Sequence, residues 1–316
     1  MRIIKLYLCD FCKIKMKIPK TTLVSWLILL SLMITWGSSF ILIKKGLTVF
    51  SSSQIGCLRI GITFLVLLPF AFKRLKKLNR KHWIALLFIG IGSSAPAFLF
   101  PMAEQGIDSA TAGVLNSLSP LFTLLLGLAF FKIKVKWINI LGVLIGLMGA
   151  IGLISVSGNA SFEFNFGYAA YIILATIFYA FNANMIKSFL QDIDSFTVTI
   201  FSFFIFGVPS IIYLFVSTPF INQLNQDPNF WQGLAYISTL AIVGTAIALI
   251  FFNYLIRINT AVFASSVTYL IPIVALLWGI LDGEHFSVVY ILWILLILLG
   301  VFLVNAKHLK VFEFKK

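Results

Sequence analysis

The stretch WGSSFILIK, Trp36 to Lys44, lies inside the first long apolar run of the chain. A second stretch, YAFNANMIK from Tyr179 to Lys187, has the same outline inside a later apolar run, since both begin with an aromatic residue and end with a lysine. Further pairs follow in the same order at nearly constant spacing, with a one-residue slip at the prolines: Ile107–Ala110 with Ile258–Ala261, Pro120 with Pro272, and Gly149 with Gly300. This order predicts a chain built from two related halves.

The composition around these stretches is that of a membrane protein. Hydrophobic residues make up 60% of 316 positions, charged residues make up 11%, and the mean hydropathy is +1.04. A soluble domain of this length needs far more charge to cover its surface. An α-helix crosses the hydrocarbon core with about 20 apolar residues. Ten such runs are predicted, at 22–44, 53–72, 82–103, 109–131, 137–156, 167–189, 195–217, 231–253, 261–281 and 287–306.

The ten predicted helices divide into two repeats, 22–156 and 167–306, between a tail at 1–21 and a basic tail at 307–316. Each repeat holds five spans, an odd number, so the second repeat sits upside down relative to the first. Inverted repeats are typical of secondary transporters, which bind solute near the midplane between the halves. The predicted fold class is therefore an all-α membrane protein of two inverted five-helix repeats, and the predicted activity is alternating-access transport of a small molecule.

The net charge of +14 is unevenly distributed along the chain. Lysine and arginine cluster in the two tails and in the connections at 73–81 and 132–136, whereas the alternate connections are acidic. With ten spans, all of these basic clusters fall on one side, which the positive-inside rule assigns to the cytoplasm. We therefore expect a multi-pass inner-membrane protein with both termini cytoplasmic, embedded in the lipid bilayer and binding no nucleic acid.

Signals for metal or catalytic chemistry are weak. Cys9 and Cys12 form a CxxC without further ligands, and the three histidines lie at loop edges. Met16 offers a second translation start, which would place the cysteine pair in an upstream extension. We expect no metal, no cofactor and no catalytic residue. An integral-membrane enzyme and a non-transporting scaffold are the alternatives to a carrier.

Several of these motifs resemble a known family. WGSSF at 36–40, SATAG at 109–113, SPLF at 119–122 and the Thr-Ala and Ile-Pro pairs at 260–261 and 271–272 resemble EamA-domain proteins of the drug/metabolite transporter superfamily. The resemblance covers about residues 22–306. It implies ten helices, a central cavity and the transport, often the export, of amino acids, nucleobases or other metabolites.

One motif departs from the family pattern. Family members often carry a Gly-Glu pair after the fourth and ninth helices. Here Gly283-Glu284 is present in the second half, but Lys132-Ile133 stands at the corresponding place in the first. A functional role for that glutamate has no support in the first half, so we interpret the pair as a marker of the fold.

Polar and aromatic residues near the centres of the spans are the candidates for a substrate cavity, because polar groups are expensive inside the bilayer. Pro120 and Pro272 are predicted as hinges, since a proline inside a helix removes a hydrogen bond. Packing between helices is the alternative role for each of these residues. The candidates for the cavity are Trp36, Ser39, Asn116, Ser119, Thr123, Tyr179, Asn182, Ser265, Thr268 and Tyr269.

Charged residues in the spans are few. Arg59 lies about a third of the way into the second span, and Lys44 and Lys187 end the two repeated stretches. For all three, a structural or anchoring role stands beside gating or substrate contact. No Asp or Glu lies near the centre of a predicted span, which favours export or exchange over coupled uptake.

The fifth predicted span contains a row of glycines at 142, 146, 149 and 152. Small residues at this spacing let two membrane helices approach closely. The row predicts tight packing against another helix, either within the chain or between two copies in a homodimer.

Overall fold

A computed structural model describes residues 20–107, 109–133, 135–156, 166–274 and 288–304. The predicted CxxC pair, the Gly283-Glu284 pair and the C-terminal basic tail lie outside these residues. Within the described ranges every regular element is helical.

The first half of the chain contains seven α-helices within its described residues. They are α1 (Lys20–Gly37), α2 (Ser39–Leu47), α3 (Ser52–Ala71), α4 (Arg80–Ala103), α5 (Ser109–Asn116), α6 (Ser119–Phe130) and α7 (Trp137–Val156). A 3₁₀ turn, Leu75–Lys77, joins α3 to α4.

The second half continues with α8 (Phe166–Phe189), α9 (Ser195–Ser217), α10 (Phe220–Gln226), α11 (Phe230–Ala241), α12 (Ala248–Ile258), α13 (Ala261–Ser265) and α14 (Val289–Val304). A π-helical segment, Ile242–Ile247, makes α11 and α12 continuous, and a 3₁₀ turn, Ser266–Tyr269, follows α13.

Six of the described helical segments are long and apolar enough to cross a membrane. They are Thr22–Leu47, Ser52–Ala71, Arg80–Ala103, Gly167–Phe189, Ser195–Ser217 and Phe230–Ile258. Four shorter apolar segments, Ser119–Phe130, Trp137–Gly152, Ala261–Val274 and Ile291–Val304, lie where the remaining spans were predicted. The chain is thus a multi-pass helical membrane protein, and the count of ten spans stays a prediction.

The predicted hinge prolines lie at breaks in the helices. α5 ends at Asn116, and Pro120 falls in the first turn of α6, where no helical N–H is required. The span predicted at 109–131 is thus interrupted before Pro120, and the hinge role of the two prolines stays a prediction. Pro272 follows the 3₁₀ turn that ends at Tyr269.

Serine hydroxyls hydrogen-bond to the carbonyl groups that these two prolines leave without a helical N–H. The Ser119 Oγ donates to the Asn116 carbonyl at 2.7 Å, four residues before Pro120. The Ser117 Oγ shares its proton between the Gly113 carbonyl at 3.0 Å and the Thr268 carbonyl at 3.3 Å, and Thr268 lies four residues before Pro272. Both breaks are therefore hydrogen-bonded without water, which is what an apolar surrounding requires.

The helices of the two halves pack directly against each other. α3 packs against α9, α4 against α8, and α7 against α14. The α7–α14 contact explains the row of glycines, because Gly142 and Gly149 face the backbone of α14 and Gly152 faces the Trp293 ring. The row is used within the chain, so it gives no support to a homodimer, which remains a prediction.

The connection after α6 contains an unusual backbone conformation. Lys132 has a φ of 49°, and the N–H groups of Phe131 and Ile133 both bond to the Gly127 carbonyl. This is the left-handed region, which glycine adopts without steric strain. Here the first half carries lysine where the resembled family often carries glycine.

We expect Lys132→Gly to raise the free energy of unfolding by about 0.5–1 kcal/mol, because it relieves the strained φ more than it loosens the unfolded chain. Thermal melting of the purified protein in detergent measures this change. Lys136→Gly is the matched control, since Lys136 is an exposed lysine of the same connection without a positive φ. Equal melting temperatures for the two variants would contradict the interpretation.

Candidate functional site

A cavity lies between the two halves of the bundle. It encloses about 880 Å³ of atom-free space, open solvent included. Its wall combines aromatic rings, hydroxyls and amides. The lining residues are Trp36, Ser39, Phe40, Ile43, Arg59, Ser93, Phe100, Asn116, Ser119, Tyr179, Asn182, Gly244, Thr245, Leu249, Phe252, Ser265, Thr268 and Ile271.

The π-helical segment forms one side of this cavity. Its wider turn disturbs the regular pattern of helical hydrogen bonds, and such turns are frequent at functional sites. The Trp36 Nε1 donates to the Gly244 carbonyl at 2.9 Å. The Thr63 Oγ1 donates to the Ala241 carbonyl at 3.0 Å. α1 thus contacts a backbone carbonyl of the segment, and α3 contacts the carbonyl of the residue directly before it.

Arg59 extends from α3 to the same segment. Its Nε donates to the Thr245 Oγ1 at 2.7 Å, and the Thr245 hydroxyl donates in turn to the Leu240 carbonyl at 3.1 Å. The Tyr179 hydroxyl interacts with the guanidinium from α8. Arg59 is only 8% exposed. The cavity therefore carries a buried positive charge.

The amide and hydroxyl groups come from both halves. The Asn182 Nδ2 donates to the Ser93 Oγ at 2.8 Å, while the Asn182 Oδ1 has no hydrogen-bond partner. Asn116 and Ser119 belong to the fourth predicted span, and Ser265 and Thr268 belong to the corresponding ninth span of the second half. All four line the wall. These groups provide donors and acceptors for a polar solute.

Aromatic rings supply the apolar part of the wall. Phe100 and Tyr179 are stacked at 5.9 Å between ring centroids. Trp36 meets Phe252 edge to face at 5.1 Å. Such surfaces suit an apolar or flat portion of a ligand.

Eight of the ten predicted cavity residues line this space, and Arg59 joins them: Trp36, Ser39, Asn116, Ser119, Tyr179, Asn182, Ser265 and Thr268. Their role in binding stays a prediction. The prediction placed the other two, Thr123 and Tyr269, on the same wall, but the structure does not.

Thr123 and Tyr269 are fully buried in helix contacts. The Thr123 Oγ1 donates to the Ser119 carbonyl at 2.7 Å, and Asn184 of α8 covers it by donating to the Thr123 carbonyl. The Tyr269 hydroxyl donates to the Val143 carbonyl of α7 at 2.8 Å. Both side chains join helices rather than face the cavity.

The two predicted lysines also lie away from the cavity. Lys44 is exposed on α2. The Lys187 Nζ donates to the carbonyls of Ile256 and Arg257 at 3.0 and 3.1 Å, at the C-terminal end of α12. A cation there caps free carbonyls and suits the helix dipole. Of the two roles that the sequence left open for Lys187, these contacts fit the structural one.

Two further polar contacts involve residues that follow α8, at the same end of the bundle as Lys187. Arg74 pairs with Asp194 at 2.7 Å, and the His82 Nε2 bonds to Asp192 at 2.7 Å. The His82 hydrogen bond holds the pKa of the Asp192 carboxyl below its ordinary value. The Nδ1 of His82 accepts the Asn79 N–H, so Nε2 carries the proton. These contacts link the connection before α4 and the first turn of α4 to the connection before α9.

Sequence reasoning missed three polar or backbone groups of the wall: Ser93, Gly244 and Thr245. Ser93 was detectable as a hydroxyl near the middle of an apolar span. Gly244 and Thr245 form a small and polar pair near the centre of their span, and this signal was overlooked. Among the described residues, no group of three or more His, Cys, Asp or Glu side chains could hold a metal ion.

The EamA-like transporter family matches this chain twice, at residues 23–155 and 167–306. The chain belongs to this family. Homology therefore makes it a membrane transporter, as the resemblance of its motifs implied.

Relatives of this EamA-like transporter are described as transporters too. An "uncharacterized transporter" of Archaeoglobus fulgidus is 26% identical over 90% of this chain and 99% of its own. The "uncharacterized inner membrane transporter YedA" of Escherichia coli is 28% identical over 88% and 92%. A "probable terminal-alkyne amino-acid exporter" of Streptantibioticus cattleyicolor is 24% identical over 51% of this chain and 52% of its own.

A solved crystal structure of a protein shares the fold. It superposes on this EamA-like transporter with a TM-score of 0.68, covering 91% of this chain and 98% of that chain. The sequence identity is 15%, so the likeness concerns the fold alone.

Proposed function

We propose that this protein exports a small organic metabolite, an amino acid or a related compound, across the inner membrane by alternating access. In this proposal two inverted repeats of five spans, 22–156 and 167–306, rock about the cavity. The tails at 1–21 and 307–316 lie in the cytoplasm. The partners are the solute and the lipid bilayer, with no nucleic acid.

The observation that carries the proposal is the composition of the cavity wall, to which both halves contribute side chains. Trp36 and Asn116 come from the first half, and Tyr179 and Thr268 come from the second. A solute bound there contacts both halves, so a movement of one half against the other exposes it to either side in turn.

The packing of the helices supports the repeat. α3 and α9 are the second spans of their halves, α7 and α14 are the fifth, and each pair packs together. Corresponding helices meet in this way near a two-fold axis that relates two halves. The two family matches, one in each half, support the same division.

Two observations favour export of an amino-acid-like solute. The relative from Streptantibioticus cattleyicolor is described as an amino-acid exporter. The described residues that line the cavity include no Asp or Glu, the side chains that couple uptake to protons or sodium in many carriers.

The test is flux in proteoliposomes loaded with radiolabelled amino acids, nucleobases and small amines. We expect saturable flux of at least one compound, and we expect Asn116→Ala to reduce it about fivefold, because one amide contact in a buried site contributes roughly 1 kcal/mol. Gln232→Ala, an exposed amide on α11, is the matched control and keeps full flux. The proposal fails if no compound moves under any gradient, while circular dichroism shows folded protein.

A further inference from the structure

The cavity holds a buried cation that has no anionic partner in the part of the chain that the structure describes. The described ion pairs are Arg74–Asp194 and His82–Asp192, and Arg59 takes part in neither. The described lining of the cavity contains no Asp or Glu beside it. The Arg59 Nε donates a hydrogen bond to the hydroxyl of Thr245.

An unpaired cation in this position is costly. Taking a charged side chain out of water carries a penalty of several kcal/mol, which only a well-placed opposite charge or several hydrogen bonds offset. The neutral hydroxyls of Thr245 and Tyr179 satisfy part of the guanidinium but cannot neutralise it. The site is therefore prepared for an anion that the described part of the chain does not provide.

The geometry of arginine favours one kind of anion. Of the five N–H groups of Arg59, Thr245 accepts the one on Nε and the Tyr179 hydroxyl contacts the guanidinium, so terminal N–H groups remain for a planar carboxylate. Asn182 adds a second polar contact, because its Oδ1 is buried, has no partner and accepts a hydrogen from a donor. The Trp36 and Phe252 rings bound an apolar space on the wall.

We propose that Arg59 is the specificity-determining residue of the cavity and that it selects small organic solutes with one free carboxylate. Arg59 pairs with the carboxylate, the amide of Asn182 receives a donor group, and the aromatic rings hold an apolar portion. Esters and amines of the same shape are excluded, because they leave the guanidinium buried without a counter-charge. This inference rests on the proposed function and names the substrate class of its site.

The experiment compares L-phenylalanine and L-leucine with their methyl esters and with the decarboxylated amines. Binding is measured as the ligand concentration that gives half of the maximal rise in melting temperature of the purified protein. Transport is measured as the inhibition, by each compound, of the flux of a radiolabelled solute in proteoliposomes. We expect wild type to favour each carboxylate at least tenfold over its ester and amine. Arg59→Gln reduces this preference to about one, and Arg59→Lys keeps part of it.

Arg257→Gln is the matched control, because Arg257 is an exposed arginine at the end of α12 and does not line the cavity. It keeps the full preference. A purely structural role of Arg59 would weaken all ligands equally in Arg59→Gln and leave the preference unchanged, and this result overturns the inference.

The binding and transport measurements also separate this inference from the proposed function. Flux of amines or esters that equals flux of carboxylates leaves the transporter in place and overturns the role of Arg59. Selective binding of carboxylates without any flux supports Arg59 and counts against transport. If no carboxylate raises the melting temperature of wild type, the inference is wrong.

Discussion

Gly300→Ala is expected to lower the melting temperature of the protein by at least about 5 °C, the largest effect on stability that we predict for the addition of one methyl group. A Cβ at position 300 would lie 2.5 Å from the Gly146 Cα and 2.8 Å from the Gly142 carbonyl oxygen. Because these are backbone atoms, no rotation of a side chain relieves the clash. α7 and α14 must separate, which we estimate at about 3 kcal/mol.

The matched control is Gly113→Ala, which makes the same change at another buried glycine. There the added Cβ would meet only the Ile271 Cγ2, at 4.0 Å, an ordinary contact. We expect its melting temperature to stay within about 1 °C of wild type. Fluorescence-detected size-exclusion chromatography and thermal melting measure both variants. Equal stability of the two would show that α7 and α14 do not depend on the close contact of their backbones.

The glycine row illustrates what the sequence predicts well. Apolar length and small-residue spacing are local properties of a chain, so the helices and the presence of one closely packed face were readable from it. The partner of that face was not. Gly142 and Gly149 meet α14, a helix far away in sequence, and only the tertiary structure identifies it.

The cavity was partly readable for a similar reason. Polar side chains in the middle of apolar spans are energetically costly, so the sequence alone predicted Asn116 and Asn182 as cavity residues. The assumption that failed was uniform helical geometry. Residues 266–269 form a 3₁₀ turn, in which residues three apart lie on one face. Ser265 and Thr268 therefore reach the cavity together, while Tyr269 turns towards α7.

The π-helical segment lay beyond local reasoning altogether. No sequence periodicity predicts a π-helical turn. The side chains that donate to the carbonyls of Gly244 and Ala241 are Trp36 and Thr63, which come from the other half of the chain. This arrangement changes the interpretation of Trp36. It was predicted as an aromatic wall for solute, and the structure adds a hydrogen bond that joins the two halves at the cavity.

We expect Trp36→Ala to reduce the maximal flux in proteoliposomes at least tenfold while folded protein is retained. The substitution removes the edge-to-face contact with Phe252, the 2.9 Å hydrogen bond to the Gly244 carbonyl and one wall of the cavity. Each aromatic contact and each hydrogen bond contributes roughly 1 kcal/mol, so their loss together exceeds one factor of ten.

Trp36→Phe separates the ring from the hydrogen bond. Phenylalanine keeps an aromatic wall beside Phe252 but has no N–H for the Gly244 carbonyl, so we expect flux to fall about threefold to fivefold. Trp231→Ala is the matched control, because Trp231 is 68% exposed at the start of α11, and it should transport like wild type. If Trp36→Phe loses as much flux as Trp36→Ala, the hydrogen bond that joins the halves is the essential contact. If Trp36→Ala keeps wild-type flux, neither the ring nor the bond takes part in transport, and the cavity is not the solute path.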